Sequence, residues 1–343
     1  MKYRRVVVTH FGAPDVLQVV EESLREPEPG EVRVRIKAAG VSFADVLLRE
    51  GVHPEARRPP FTPGWDLVGE VDKLGEGVHG FQPGQRVAAL PIVGGYAEYI
   101  YLPSEEFIPV PDGLDPVEAV CLILNYTTAY QMMHRSARVQ PGESVLIHSA
   151  GGGVGTALLQ LCGLAGLQMY GTASQAKHQL VSSFGCTPID YRQIDFVEEV
   201  RHLTGNGVDV VFDGIGGGHL WRSYRTLQRG GRVVAFGHAT SLIDKTLTGG
   251  QRSRLRGLPT VAGFIVASYL IPDGKKMVLY SIQTLKRRNP AWFREDLATL
   301  FDLLSDGKIK PVIAARIPLT EAMHAHELVG GGSVTGRIVL VCE

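Results

Sequence analysis

Three consecutive glycines follow a short apolar run at residues 145–155, VLIHSAGGGVG. A strand entering such a turn, followed by Val154, Ala157, Leu158, Leu161 and Leu164 at helical spacing, aims a helix N-terminus at whatever fills the loop. The amides and dipole of that end attract a pyrophosphate, and glycines let the backbone approach it. The loop residues are Ala150, Gly151, Gly152, Gly153, Val154 and Gly155, so alanine replaces the leading glycine of the dinucleotide fingerprint G-x-G-x-x-G. Such a turn can also close a strand and helix with no ligand, and the fingerprint therefore draws its weight from context.

About 20 residues beyond the loop, an Asp or Glu would hold the ribose 2′-OH of NAD. The chain instead reads GTASQAKH at residues 171–178, where Thr172, Ser174 and Lys177 offer hydroxyls and a cation. With no carboxylate to repel a 2′-phosphate and Lys177 to attract one, NADPH is the expected cofactor. The plainer alternative leaves Lys177 and His178 as solvated residues of a helix's first turn.

The elements that must position these groups alternate. Strand patterns at 167–172, 208–215 and 232–237 are separated by helical patterns at 175–184, 196–203 and 219–227, which implies a parallel, doubly wound sheet. The first 120 residues carry short strands between Pro and Gly turns, clearest in the alternation at 31–38 and repeated at 68–71, 86–90 and 96–102. They suggest a barrel-like β unit. A helix over 115–129 would bridge the two. After Gly237 come a polar segment at 239–259, an apolar piece at 261–271, helices near 275–286 and 291–304, and strands at 312–317 and 337–341. Those last strands need a sheet to join, and the N-terminal barrel is one candidate.

The 343 residues suffice for two domains, and 44% hydrophobic with 20% charged residues is ordinary for a globular chain. A formal net charge of zero gives no support to nucleic-acid binding. The four cysteines are scattered without a C-x-x-C pair and read as reduced thiols. No secretory or membrane-spanning run is present, so a cytoplasmic enzyme is expected.

With these stretches in hand, the chain resembles the zinc-free quinone oxidoreductase branch of the medium-chain dehydrogenase/reductase superfamily. The resemblance rests on GVSFAD at 40–45, PFTPGWDLVGEV at 60–71, GGYAEY at 94–99, HSAGGGVG at 148–155, IDY at 189–191 and VVFDGIGG at 210–217. HSAGGGVG and GTASxxKH look most like the vesicle amine transport protein subgroup. The resemblance implies a Rossmann sheet (124–262) inserted in a discontinuous GroES-like β-barrel catalytic domain (1–123 and 263–343), and a homodimer. It also places Thr128, Phe236 and Gly237 towards the nicotinamide and Lys177 and Tyr191 near the adenosine 2′-phosphate, with Gly214 among the cofactor-binding residues.

Zinc-dependent members place cysteine or histidine where this chain has Ser42, Trp65 and Leu124, so no metal is expected. His324 and His326, two apart on a helix, read as surface residues. Without a Lewis acid, the favoured chemistry is hydride delivery to an already electrophilic quinone or α,β-unsaturated carbonyl compound, making the chain a quinone oxidoreductase or enone/enoyl reductase. Candidate hydrogen-bond and proton donors are Ser42, His53, Asn125, Tyr126 and Thr128. Each has a plainer alternative, Ser42 as a turn hydroxyl and Asn125 and Tyr126 as packing groups, while Asp45 reads as a structural cap. A rival reading is a peripheral membrane or lipid-transfer protein that retains NADP binding, resting on the apolar stretch 261–270 beside Arg252, Arg254 and Arg256. Core packing explains that stretch more simply, and membrane contact is not expected.

Overall fold

The computed structural model describes residues 1–237 and 271–342. The chain divides into two compact units, Met1–Asn125 with Leu297–Glu343, and Tyr126–Asp296. The polar segment at 239–259, nearly all of the apolar piece at 261–271 and the three arginines at 252, 254 and 256 lie outside the described residues. Among the described residues no helix is long and apolar enough to cross a membrane.

The strands in chain order are β1 (Lys2–Val8), β2 (Leu17–Ser23), β3 (Glu31–Val41), β4 (Leu67–Leu74), β5 (Arg86–Ala89), β6 (Tyr99–Pro103) and β7 (Ile108–Pro109). Then follow β8 (Ser144–Ile147), β9 (Gln168–Thr172), β10 (Thr187–Ile189), β11 (Val208–Asp213), β12 (Leu227–Ala235), β13 (Lys276–Leu279), β14 (Ile313–Pro318) and β15 (Arg337–Val341).

In the first unit β1 and β2 pair with each other, and the larger sheet runs β14-β15-β3-β4-β5-β7 with β6 also on β3. β3 is its spine because Val32, Val34 and Ile36 alternate inward and are fully buried. The expectation that the last two strands join this sheet holds: β15 lies antiparallel to β3, with Val339 opposite Gly40, and β14 parallel to β15. One buried ion pair ties the far end of the chain to the near end. Arg337 Nη2 donates to Asp66 Oδ1 at 2.6 Å, both side chains being almost fully enclosed. Its guanidinium lies over Gly40, where a Cβ would come within 2.6 Å of Arg337 Nε.

In the second unit, among the described residues, six parallel strands run β10-β9-β8-β11-β12-β13. Counted within the unit this is the order 3-2-1-4-5-6 of a doubly wound sheet, whose direction of winding reverses between β8 and β11. Such strands are covered on both faces and read as continuous apolar runs. On one face Leu146, Val211 and Val233 pack with Phe196, Val200, Leu220 and Tyr224 from the helices Phe196–Thr204 and His219–Arg225.

Two local expectations are corrected. Residues 276–279, read as the start of a helix in the second part of the catalytic domain, instead form β13 and pair with β12. Four residues are too few for a periodic signal, and sheet pairing overrides local pattern. The bridging helix at 115–129 is not uniform: Pro116–Cys121 is α-helical, Leu122–Tyr126 widens into a π turn, Thr127–Gln131 returns to α, and Met132–Ala137 widens again.

Candidate active site

The glycine loop leaves β8 at the point where the sheet reverses, the place where open α/β sheets bind ligands. The helix Gly153–Leu164 begins with Gly152 as N-cap and has no side-chain cap. Gly155 is glycine for packing, since a Cβ there would press on Ser149 O and lie 2.6 Å from Ala150 O. Gly152 is different. Its φ is −87° and the nearest atom to a built Cβ is Ser149 O at 3.2 Å, so protein packing does not by itself forbid a side chain. Ala150 in place of the leading glycine is accommodated from the neighbouring strand, because Gly171 lacks the Cβ that would lie 2.8 Å from the Ala150 methyl. The left-handed backbone of the turn falls on Ser149 (φ 56°), whose carbonyl accepts from Gly152 N at 2.9 Å.

Lys177 lies against this loop. Its aliphatic stem covers Gly151, where a Cβ would meet Lys177 Cδ at 2.7 Å. Burial lowers the Lys177 pKa, and the nearby positive charge of Arg192 lowers it further. Arg192, which local reading missed because a charged residue after a strand looks merely solvated, thus adds a second cation to this end of the sheet. Its guanidinium stands 5.8 Å from the ring centroid of Tyr191, which is 51% exposed. Ser174 is half-buried and makes no capping bond. Thr172 is turned inward instead: it is 2% exposed and its hydroxyl bonds His148 Nδ1 at 2.9 Å. That hydroxyl belongs to a buttress beneath the loop.

That buttress has a direction. Asp213 Oδ1 accepts from the amides of Ile215 (2.7 Å) and Gly216 (3.1 Å), and Oδ2 from the Ser223 hydroxyl (2.6 Å) and His219 Nδ1 (2.9 Å). Ser223, having donated to Asp213, accepts from His148 Nε2 at 3.0 Å, which leaves His148 Nδ1 to accept from Thr172. Thr172 Oγ1 in turn accepts from Ser149 N at 3.4 Å. Although burial alone would raise the Asp213 pKa, the His219 bond, the two imidazoles and Ser223 hold it well below the usual carboxylate range. Burial pushes His148 down to about 3, against an opposing pull from Asp213. His148, Asp213 and His219 present ligand atoms within 4.8 Å of one another, but these are engaged with each other and with Ser223 and Thr172.

A pH dependence follows. The unfolded chain takes up a proton on His148 near pH 6.5 that the folded unit refuses until about pH 3, so stability is present above 6.5 and falls on acidification through that window. Asp213, depressed in the folded state, adds a loss of the same sign below about pH 4. Urea titrations of the cofactor-free protein between pH 6.5 and 4 are expected to show His148→Gln losing about one proton, roughly 1.4 kcal/mol per pH unit, from the slope. An unchanged slope would mean that His148 is not buried neutral.

At the ends of β11 and β12 a Cβ on Gly214 would come within 3.0 Å of the Phe236 ring, and Phe236 N donates to Asp213 O at 3.0 Å. Gly237 has φ 55°, a left-handed backbone. Thr128 is 6% exposed and its hydroxyl bonds Tyr280, whose own hydroxyl donates to Gln131 Oε1 at 2.9 Å. Gln131 and Arg135 then converge on Asp296. Tyr280 follows β13 and was missed together with that strand. Tyr126, 2% exposed, closes the preceding π turn.

In the first unit, Ser42 and Asp45 form a capping box on the helix Phe43–Arg49. Ser42 Oγ donates to Asp45 Oδ2 at 2.6 Å and Gly64 N donates to Asp45 Oδ1 at 3.1 Å, so both side chains serve the cap and the Gly64 turn. Burial pushes the Asp45 carboxyl up to about 7 against those Ser42 bonds. Asn125, 6% exposed, belongs to the π turn. His53 is half-buried, accepts from Glu55 N through Nδ1 at 3.1 Å, and meets the Trp65 ring edge-on at 5.2 Å. His324 is exposed as expected, but His326 is fully buried, 3.3 Å from the Tyr96 hydroxyl. Residue spacing separates helix faces without saying which face is covered.

Comparison with known proteins gives consistent matches. The alcohol dehydrogenase GroES-like domain model matches residues 28–112 and the zinc-binding dehydrogenase model residues 185–340. The human synaptic vesicle membrane protein VAT-1 homolog is 37% identical over 98% of this chain and 86% of its own length. The 2-haloacrylate reductase of a Burkholderia species is 33% identical over 98% of both. The crystal structure of Escherichia coli quinone oxidoreductase complexed with NADPH superposes with a TM-score of 0.86 at 28% identity, covering 99% of this chain and all of that one.

Proposed function

Since the chain belongs to the medium-chain dehydrogenase/reductase superfamily, in the quinone oxidoreductase-like branch with the VAT-1 homologues, we propose that it is an NADPH-dependent, zinc-independent reductase of conjugated acceptors. The observation that carries the cofactor choice is Lys177 packed on the glycine loop, with the Arg192 charge near it and no acid in residues 173–178 at the end of β9. Gly151 to Gly155 would take the pyrophosphate at the helix N-terminus, and Ser174, Lys177, Tyr191 and Arg192 the 2′-phosphate. Bound NADPH supplies a hydride.

The residues at positions 42, 65 and 124 offer no zinc ligand, which favours an acceptor already electrophilic through conjugation, a quinone or an α,β-unsaturated carbonyl compound. The similarity to a 2-haloacrylate reductase, whose named substrate is itself an α,β-unsaturated acid, supports that class. Ser42 is committed to Asp45, so His53, Asn125 and Thr128 are the better candidates for holding acceptor oxygen or passing it a proton.

NADPH oxidation against a panel of quinones and enones tests the reading, together with cofactor titration. NADPH should bind more tightly than NADH. Lys177→Ala should weaken NADPH by about 1 to 3 kcal/mol, roughly 5- to 150-fold, while hardly moving NADH. Equal affinity of the parent for the two cofactors would sink the assignment.

A further inference from the structure

Two imidazoles, a carboxylate and a hydroxyl meet at one point of the doubly wound unit, and three elements bring them there. Phe212 pairs with Ile147 in the parallel sheet, so Asp213 and His148, the next residues, emerge side by side from β11 and β8. His219 and Ser223 stand four apart on the helix His219–Arg225 and so share a face. The ligand atoms of His148, Asp213 and His219 lie within 4.8 Å of one another. Around Ser223 Oγ, Asp213 Oδ2 stands at 2.6 Å, His148 Nε2 at 3.0 Å and His219 Nδ1 at 3.4 Å, and His219 Nδ1 is 2.9 Å from Asp213 Oδ2. A tetrahedral ion that binds its ligands at about 2.1 Å holds them about 3.4 Å apart, so these atoms already stand close to that spacing.

The hydrogen bonds that join them can give way to an ion, because the partners of the two imidazoles are reversible. Ser223 and Thr172 offer hydroxyls, each able to donate or accept. His148 can therefore carry its proton on Nδ1, where Thr172 Oγ1 lies at 2.9 Å, and turn the Nε2 lone pair inward. His219 Nε2 makes no hydrogen bond among the described residues and the side chain is 18% exposed, so that nitrogen can hold the proton towards water and free Nδ1. Asp213 Oδ1 stays fixed by the amides of Ile215 and Gly216. A histidine held through its second nitrogen and a carboxylate that is itself hydrogen-bonded make up the outer shell by which metal ligands are oriented. Arg222, the cation over the Phe196 ring, is paired with Asp195 at 2.9 Å, which blunts its repulsion of an ion.

We propose that His148, Asp213 and His219, with the Ser223 hydroxyl or a water as fourth ligand, form a binding site for a divalent transition-metal ion of the Zn²⁺ class. Two neutral imidazoles and one carboxylate suit Zn²⁺ and Co²⁺, whereas Mg²⁺ and Ca²⁺ call for oxygen alone. The exposed edge of His219, which follows the glycine-rich run at 214–218, is the side from which the ion enters. Once bound it pins the ends of β8 and β11 to the helix His219–Arg225. It takes no part in hydride transfer and is separate from positions 42, 65 and 124, so the reductase reading neither requires nor forbids it.

The test titrates the chelator-treated full chain with Co²⁺ alone, without cofactor or acceptor, so its outcome does not depend on whether the chain is a reductase. Co²⁺ should bind once per chain and give the strong visible bands of a tetrahedral ion, and Zn²⁺ should remove them by displacement. Zn²⁺ should also raise the melting temperature of the parent, since it binds the folded unit. His219→Gln should weaken Co²⁺ by at least about 100-fold, and Thr172→Val, which touches only the outer shell, by about 10-fold. No tetrahedral bands in the parent, or bands with an unchanged midpoint in His219→Gln, overturns the proposal. If His219→Gln does not fold, an unchanged midpoint in Thr172→Val overturns it in the same way.

Discussion

Gly152→Ala should melt at the parent's temperature without cofactor and yet gain almost nothing from NADPH. Saturating cofactor at about 100 times its Kd would add roughly 2.7 kcal/mol to the parent. The added methyl meets only Ser149 O, at 3.2 Å, on a backbone with negative φ, so the folded chain tolerates it while a pyrophosphate against the loop would not. Gly155→Ala should behave in the opposite way. Its Cβ presses on two backbone oxygens that cannot swing aside, so the cofactor-free unit should lose about 3 kcal/mol or more before any ligand is added. Thermal melts over a cofactor titration read both effects. A Gly152→Ala protein stabilised as fully as the parent would remove the loop as the phosphate site.

The second large effect belongs to Arg337. Arg337→Met leaves Asp66 as an enclosed carboxylate without its partner, and breaking such a pair from one side costs about 3 to 5 kcal/mol. For a unit of this size the melting transition should drop on the order of 10 °C. Adding Asp66→Asn to Arg337→Met should recover part of the loss, because most of the penalty is the orphaned charge and not the missing bond. If the double variant is as unstable as the sum of the singles, the two side chains do not act as a pair.

What could be read from the sequence follows from what local pattern carries. The glycine loop, the Rossmann alternation and Lys177 announce themselves within a few residues, because strand period, helix period and glycine spacing are short-range signals. Arg192 was hidden by the sheet, since it neighbours Lys177 only after β9 and β10 pair. Asp66 and Arg337 stand 271 positions apart, and no window spans that distance. Strand β13 was too short to betray its type, and Tyr280 was lost with it. The capping residues Ser42 and Asp45 were legible as a cap but equally as a catalytic hydroxyl, because the same S-x-x-D spacing serves both until the carboxylate is seen to hold the Ser42 and Gly64 amides.

The first sheet is closed by a strand made long after the one it pairs with. β3 is made early, but the partner for its stretch Ala38–Val41 is β15, and the whole doubly wound unit must be synthesised in between. A nascent chain therefore carries an open strand edge and an Asp66 without its counter-ion until β15 and Arg337 are made, an arrangement that invites pairing with another chain. The inserted unit has no such wait, since the six strands described in its sheet come from one continuous stretch and can assemble as soon as they emerge. Synthesis order thus lets the doubly wound unit mature first, and leaves the other unit waiting for β15.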